Sequence, residues 1–248
     1  MISEVSPTRP EFSIRNMRKA WRHPTLIWLL LDGSDEVILS KQHVAIHLEK
    51  AFRIEVNKSK FDPIAFVCHA IDVCSRSCYP AEFMYAVCHH FCPDTVVETG
   101  VHYGASSAFI LKALEGTDGR LYSIDLPNVE YERDDGRLHR DLIPPRPEPG
   151  FVVPDTLKRN WRLILGDSRQ ELPGLLESIG DIDIFHHDSM HRYDLMTFEY
   201  ETVWPFLKGD GLLISQDISW SKAFEHFCLR HSADYRIHGG IGIARKSS

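Results

Sequence analysis

Residues Thr95 to Leu114, TVVETGVHYGASSAFILKAL, restrict the possible fold more than any other stretch of this chain. A short β-branched run, Val96 and Val97, ends in an acidic residue, Glu98. Gly100 and Gly104 mark a tight turn, and Ser106 and Ser107 then open an apolar segment carrying Phe109, Ile110, Leu111 and Leu114. A strand, a glycine turn and a helix start in that order bring backbone N–H groups and the positive end of a helix dipole to one loop, which makes the loop a candidate ligand site. The glycine spacing narrows the ligand. A dinucleotide fingerprint runs G, x, G, x, x, G, whereas here Val101 follows Gly100 and the next glycine is Gly104. A nicotinamide oxidoreductase is disfavoured on that ground.

Downstream, the same unit recurs. Arg120 to Pro127 reads as a second strand ending in Asp125, 21 positions after Gly104, where nucleoside-binding α/β folds place a carboxylate for ribose hydroxyls. Trp161 to Leu165 reads as a third strand, followed by Gly166, Asp167, Ser168 and a helix from about Arg169 to Ile179. Asp181 to Asp188 alternates into a fourth strand, ending in Asp188, Ser189, Met190 and His191. A helix from Tyr193 to Leu207 follows, with Leu195, Phe198, Val203 and Phe206 on its buried face. Gly209 and Gly211 flank the turn into a fifth strand, Leu212 to Ser215, which ends in Gln216 and Asp217. After a helix from Lys222 to His231, Tyr235 to His238 and Ile241 to Arg245 pair as a hairpin about Gly239 and Gly240. Five such alternations predict an α/β domain with a mostly parallel sheet, its ligands gathered at the C-terminal edge where the carboxylates fall.

The remaining segments are less specific. Residues 1–80 contain no glycine except Gly33 and show helical periodicity over Arg15 to Leu31 and Val37 to Ile54. They read as a helical N-terminal extension that packs on the main domain, contacts a second copy or covers the site. The main domain is then 81–248, with the helix before the first strand at Pro80 to Phe91. Within it, residues 128–160 carry five prolines among charges. This density predicts a loop without regular structure, suited to covering a substrate. Cys74 with Cys78, and Cys88 with Cys92 around His89 and His90, share helix faces, but the spacing is not that of a zinc knuckle. Buried free thiols in a reducing cytosol are the favoured reading. A net charge of -7 argues against binding nucleic acid or an anionic membrane, leaving a small-molecule partner. Leu26 to Leu31 is too short to span a bilayer, and the N-terminus, with Glu4 and Glu11, lacks the apolar core of a signal peptide; a cytoplasmic location is expected.

The acidic residue followed by glycine, three residues and glycine resembles motif I of the class I S-adenosylmethionine-dependent methyltransferases, and the closing hairpin fits their sheet. The resemblance covers Thr95 to Arg245. It implies a Rossmann-like fold in which Glu98, Gly100, Gly104 and Ser106 hold the methionine portion of the cofactor, Asp125 the ribose, and Asp167 with Ser168 the adenine edge. A narrower resemblance is to the metal-dependent small-molecule O-methyltransferases that act on macrolide sugars and to their relatives from cephalosporin clusters. Asp188 with His191 reproduces the pair that ends their fourth strand. Gln216 with Asp217 stands where their fifth strand ends in Glu-Asp, with Gln in place of Glu. This implies Mg²⁺ on Asp188, Gln216 and Asp217, His191 as general base, and a hydroxylated small molecule such as a sugar or secondary metabolite as acceptor. The rival is a catalytically silent cofactor-binding or assembly protein with the same fold, whose N-terminal helices bind a partner or form a homo-oligomer.

Overall fold

The computed structural model describes residues 62–74, 81–143 and 148–247. The helices expected over Arg15 to Leu31 and Val37 to Ile54 lie outside the described residues, as do Cys78 and the prolines at 144, 145 and 147.

Two helices lead into the sheet, α1 (Pro63–Cys74) and α2 (Glu82–Phe91). The alternation then runs β1 (Thr95–Thr99), α3 (Ala105–Leu114), β2 (Arg120–Asp125), a hairpin of β3 (Val129–Glu132) and β4 (Leu138–Asp141), β5 (Trp161–Leu165), α4 (Ser168–Ile179), β6 (Ile182–His187), α5 (Tyr193–Val203), β7 (Leu207–Ser215), α6 (Ala223–His231), β8 (Asp234–His238) and β9 (Ile241–Arg245). Seven strands form one sheet in the order β5-β2-β1-β6-β7-β9-β8. The first five of that order are parallel, β9 runs antiparallel to β7, and β8 antiparallel to β9. This is the Rossmann-like methyltransferase sheet with its closing antiparallel hairpin.

Successive side chains of a strand face opposite ways, and here they divide between two cores. Val96, Ile184, Leu212 and Ile214 pack with α1, α2 and α3; Val97, Phe185 and Leu213 pack with α4, α5 and α6. Helices on both faces are what a parallel sheet requires, and they bury β1 and β6 on both sides, polar Glu98, His186 and His187 included. Helix α1 shares the first core, so this part of the predicted extension is built into the main domain.

Three expectations need correction. The segment after β2 is not devoid of regular structure: β3 and β4 pair antiparallel from Val129↔Asp141 to Glu132↔Leu138. The prolines that suggested otherwise sit at 144 and beyond, and the turn between the strands uses Gly136 at φ 80°. Strand β7 begins at Leu207, so Gly209 and Gly211 lie inside it. A Cβ on Gly211 would fall 2.8 Å from Leu207 and 3.1 Å from the Asp183 carbonyl, so glycine there marks a close approach next to a register shift in the β6–β7 pairing. Helix α5 buries Glu199 with Leu195, Met196, Tyr200 and Val203, while Phe198 is only half-buried.

Candidate active site

The strand order reverses beside β1, whose neighbours are β2 and β6, and ligands of open α/β sheets bind in the crevice outside such a switch point. Backbone bonds carry each ladder one residue past its strand: Gly100 N–H donates to Ile124 O (2.9 Å), Asp188 N–H to Thr99 O (2.8 Å) and Gln216 N–H to His187 O (2.9 Å). The strand-end residues are therefore fixed by the sheet rather than left to loops. A cleft of about 260 Å³ opens there, lined on one side by Gly100, His102, Asp125, Asp167 and Ser168 and on the other by Asp188, His191 and Asp217.

Gly100 has φ 85°, and a Cβ on it would lie 2.1 Å from the Asp188 carbonyl oxygen. Only glycine lets β1 and β6 approach so closely at the mouth of the cleft. Gly104, at φ 91°, packs against Gly150 (2.6 Å from a notional Cβ) and does not line the cleft. Glu98 is also elsewhere: it is fully buried and accepts hydrogen bonds from Ser106 (2.6 Å), Ser107 (2.5 Å), Ser123 (2.9 Å) and His186 Nδ1 (3.3 Å). With its acceptor sites taken up by its own fold, Glu98 ties β1, α3, β2 and β6 together, and Ser106 serves it. Asp125 does face the cleft, its Oδ2 accepting the His102 N–H at 3.1 Å. Asp167 caps α4 by accepting the Arg169 N–H (2.9 Å), with Ser168 beside it at the start of the helix.

At the other side, one oxygen of Asp188, one of Asp217 and a ring nitrogen of His191 lie within 4.8 Å of one another. His191 Nε2 is 3.4 Å from Asp217 Oδ2 and 3.9 Å from Asp188 Oδ1. Burial draws the His191 imidazole below its usual pKa, against the opposing pull of Asp217. The contact with His191 holds the Asp217 carboxyl low in turn, against burial. Gln216 has a different place from the one its resemblance implied. Its amide nitrogen donates to Asp188 Oδ2 (3.0 Å) and lies 3.0 Å from His186 Nε2, and it does not line the cleft. An amide bonded this way orients the Asp188 carboxylate.

The hairpin forms the outer wall, which no spacing in the sequence announces. Tyr131 Oη accepts the His191 backbone N–H (3.2 Å), Asp134 accepts the Tyr193 N–H (2.9 Å), and the Arg133 guanidinium lies 3.5 Å above the Trp220 ring. Trp220 in turn meets the rings of His139 and His191 edge-on at 5.0 and 4.8 Å. Glu199 had a legible signal: it sits four residues from both Leu195 and Val203 and so on the buried stripe of α5.

Residues 97–218 match a family model described as a methyltransferase domain. These 122 of the chain's 248 residues carry a methyltransferase domain. The chain is similar in structure to the O-methyltransferase NovP (16% identity, 68% of this chain and 79% of that one, TM-score 0.52). It is also similar to the O-methyltransferase TomG from Streptomyces achromogenes, which is involved in tomaymycin synthesis and was solved with SAM (11%, 77% and 92%, TM-score 0.50). The calicheamicin methyltransferase CalS11 is comparable (15%, 84% and 91%, TM-score 0.50). No curated protein matches the sequence significantly. Among the described residues no helix is long and apolar enough to cross a membrane.

Proposed function

We propose that this methyltransferase moves the methyl group of S-adenosylmethionine to a hydroxyl oxygen of a small molecule, assisted by a divalent cation on Asp188 and Asp217 and by His191 as general base. The observation that carries this reading is the convergence of Asp188, His191 and Asp217 within 4.8 Å, across the cleft from Gly100 and Asp125. NovP and TomG are likewise named as O-methyltransferases.

In this reading Asp125 holds the cofactor ribose, and Asp167 with Ser168 meets the adenine edge, while Gly100 lets the methionine end lie against bare backbone. Glu98, Gly104 and Ser106 shape that loop from behind. The two carboxylates supply the hard oxygen donors that Mg²⁺ prefers, and Gln216 holds Asp188 in orientation. Once bound, the sulfonium supplies an electrophilic methyl group and the cation acidifies the acceptor hydroxyl. His191 Nε2 takes the hydroxyl proton while the new C–O bond replaces the C–S bond. The protonated ring is then stabilised by Asp217, 3.4 Å away. Tyr131, His139 and Trp220 wall the acceptor side of the cleft against water.

Methyl transfer from radiolabelled S-adenosylmethionine to a panel of hydroxylated sugars and phenols, with and without Mg²⁺, tests the proposal. Asp188→Asn and Asp217→Asn should each reduce transfer on the order of 100-fold. Full activity in both variants would remove the cation mechanism. A protein that binds cofactor yet methylates nothing would favour the silent cofactor-binding alternative.

A further inference from the structure

The three groups that converge in the cleft are anchored differently. Asp188 and Asp217 stand at the sheet: Asp188 N–H donates to Thr99 O (2.8 Å), and Gln216 N–H, next to Asp217, donates to His187 O (2.9 Å). His191 lies three residues past Asp188, beyond the last backbone bond between β6 and β1, in the short connection to α5. Its backbone N–H donates instead to a side chain of β3, the Tyr131 hydroxyl (3.2 Å), in a buried contact. Helix α5 begins with the same dependence. Arg192 at its N-cap makes no side-chain cap bond and turns its guanidinium to Asp194 (3.1 Å). The N–H of Tyr193, the first helical residue, is capped by Asp134 from the turn between β3 and β4 (2.9 Å). A carboxylate there also meets the positive end of the α5 dipole.

The hairpin that makes both bonds is a sheet of its own: among the described residues, β3 and β4 pair only with each other. Two strands without a third are marginally stable by themselves. The hairpin can therefore lift without breaking a ladder bond of β1, β6 or β7, and what holds it down is the set of side chains reaching across. Asn128 Oδ1 accepts the Ile143 N–H (3.0 Å) and closes its base, which leaves the tip as the end that can move.

We propose that Tyr131 and Asp134 are positioning residues through which the hairpin latches the β6–α5 connection and sets the place of His191. The inference rests on the reading of His191 as the base. Cation binding and proton removal are then held by separate elements, the carboxylates by the sheet and the base by the hairpin. Tyr131 and His139 of the hairpin also line the cleft, so an acceptor lies beneath the same element that aligns the base. An acceptor that lets the hairpin seat has His191 in place. One that props the hairpin open takes the backbone anchor from His191 while leaving Asp188 where it was. The latch thereby turns acceptor shape into rate, a discrimination made in kcat and not in cofactor or cation affinity.

The test is amide hydrogen exchange read residue by residue from ¹H–¹⁵N spectra, combined with kinetics, on Tyr131→Phe, Asp134→Ala and Asp134→Asn. Tyr131→Phe keeps the ring in the cleft wall and removes only the hydroxyl. Its His191 amide should exchange about 10-fold faster, while the Asp188 amide, bonded within the sheet, stays as slow as in wild type. Asp134→Ala should release the Tyr193 amide in the same way, and Asp134→Asn, whose side-chain oxygen still accepts, should restore it. In methyl transfer, Tyr131→Phe and Asp134→Ala should lower kcat about 10-fold, with Mg²⁺ and S-adenosylhomocysteine affinities by calorimetry within about twofold of wild type. Unchanged exchange at His191 in Tyr131→Phe overturns the proposal. So does a wild-type kcat with the amide released, or a loss of cofactor and cation affinity as large as the loss of kcat, which is what a merely structural role would produce. Asp134 is exposed, so its variants decide the matter should Tyr131→Phe misfold. Absence of any methyl transfer by the wild type would count against the reading of His191 as base, and the exchange rates would still decide whether the hairpin holds it.

Discussion

Replacing Gly100 by alanine should damage stability and chemistry together, because one missing carbon atom sets the distance between β1 and the end of β6. Alanine at φ 85° carries a backbone penalty of about 1–2 kcal/mol. Its Cβ would lie 2.1 Å from the Asp188 carbonyl oxygen and 2.7 Å from the Ser189 nitrogen, both backbone atoms that cannot rotate away. Contacts under 3.0 Å essentially never occur for real Cβ atoms, so the strand ends must separate by at least about 0.9 Å. Forcing packed elements apart in this way costs about 1–3 kcal/mol more. The sum, about 2–5 kcal/mol, corresponds to a fall in Tm of roughly 10 °C for a domain of this size. Displacing Asp188 by close to 1 Å should also slow methyl transfer on the order of 100-fold. Gly174→Ala is the control: it lies within α4 with nothing inside 4 Å of its notional Cβ, and it should stabilise by about 0.5–1 kcal/mol. Thermal unfolding followed by circular dichroism, with calorimetry of S-adenosylhomocysteine binding, reads both effects. Gly100→Ala unfolding within 1 °C of wild type, with cofactor affinity unchanged, would refute the argument that this approach builds the site.

Glu98→Ala should lower stability by about 3–5 kcal/mol in urea unfolding, since it strands three serine hydroxyls and a histidine in the core; Glu98→Gln should cost less. The folded-state pKa of Glu199 lies below its ordinary value of 4.5, so the carboxylate contributes stability that is complete above 4.5 and is lost as pH falls toward the lower folded value. Acid titrations should accordingly show a shallower loss of stability below pH 4.5 in Glu199→Gln than in wild type. Trp220→Ala removes the Arg133 stacking contact and should free the hairpin by about 0.5–2 kcal/mol, seen as faster hydrogen exchange at residues 129–141 with exchange in β6 unchanged.

The sheet was legible because its signals are local. An apolar run closed by a carboxylate or a glycine is a strand end whatever surrounds it, and β1, β2, β5 and β6 fell within a residue or two of their expected bounds. The closing hairpin was legible from Gly239 and Gly240, both at positive φ. Where the reading failed, composition stood in for position. Prolines near 144–149 obscured a hairpin that contains none, and two glycines taken for a turn lie inside β7. In the site, acidic residues at strand ends could be placed by spacing alone. Whether such a residue faces the cleft or the core could not. Glu98 and Asp125 end neighbouring strands, but Glu98 is consumed by three serines while Asp125 opens to the cleft, and those serines lie 8 to 25 residues away. Likewise, the Gln216 amide is turned by His186, 30 residues distant, which no pattern within the fifth strand encodes. Tyr131, His139 and Trp220 are ordinary aromatic residues until the hairpin folds over β6 and β7.

Calorimetric titration of S-adenosylmethionine and S-adenosylhomocysteine into the purified, EDTA-treated protein, repeated with Mg²⁺ and with Asp125→Ala, bears most directly on the account. Micromolar binding that Asp125→Ala weakens, with the fold intact, is the predicted result. A protein that binds neither compound under any of these conditions would contradict the assignment of the cleft as a cofactor site.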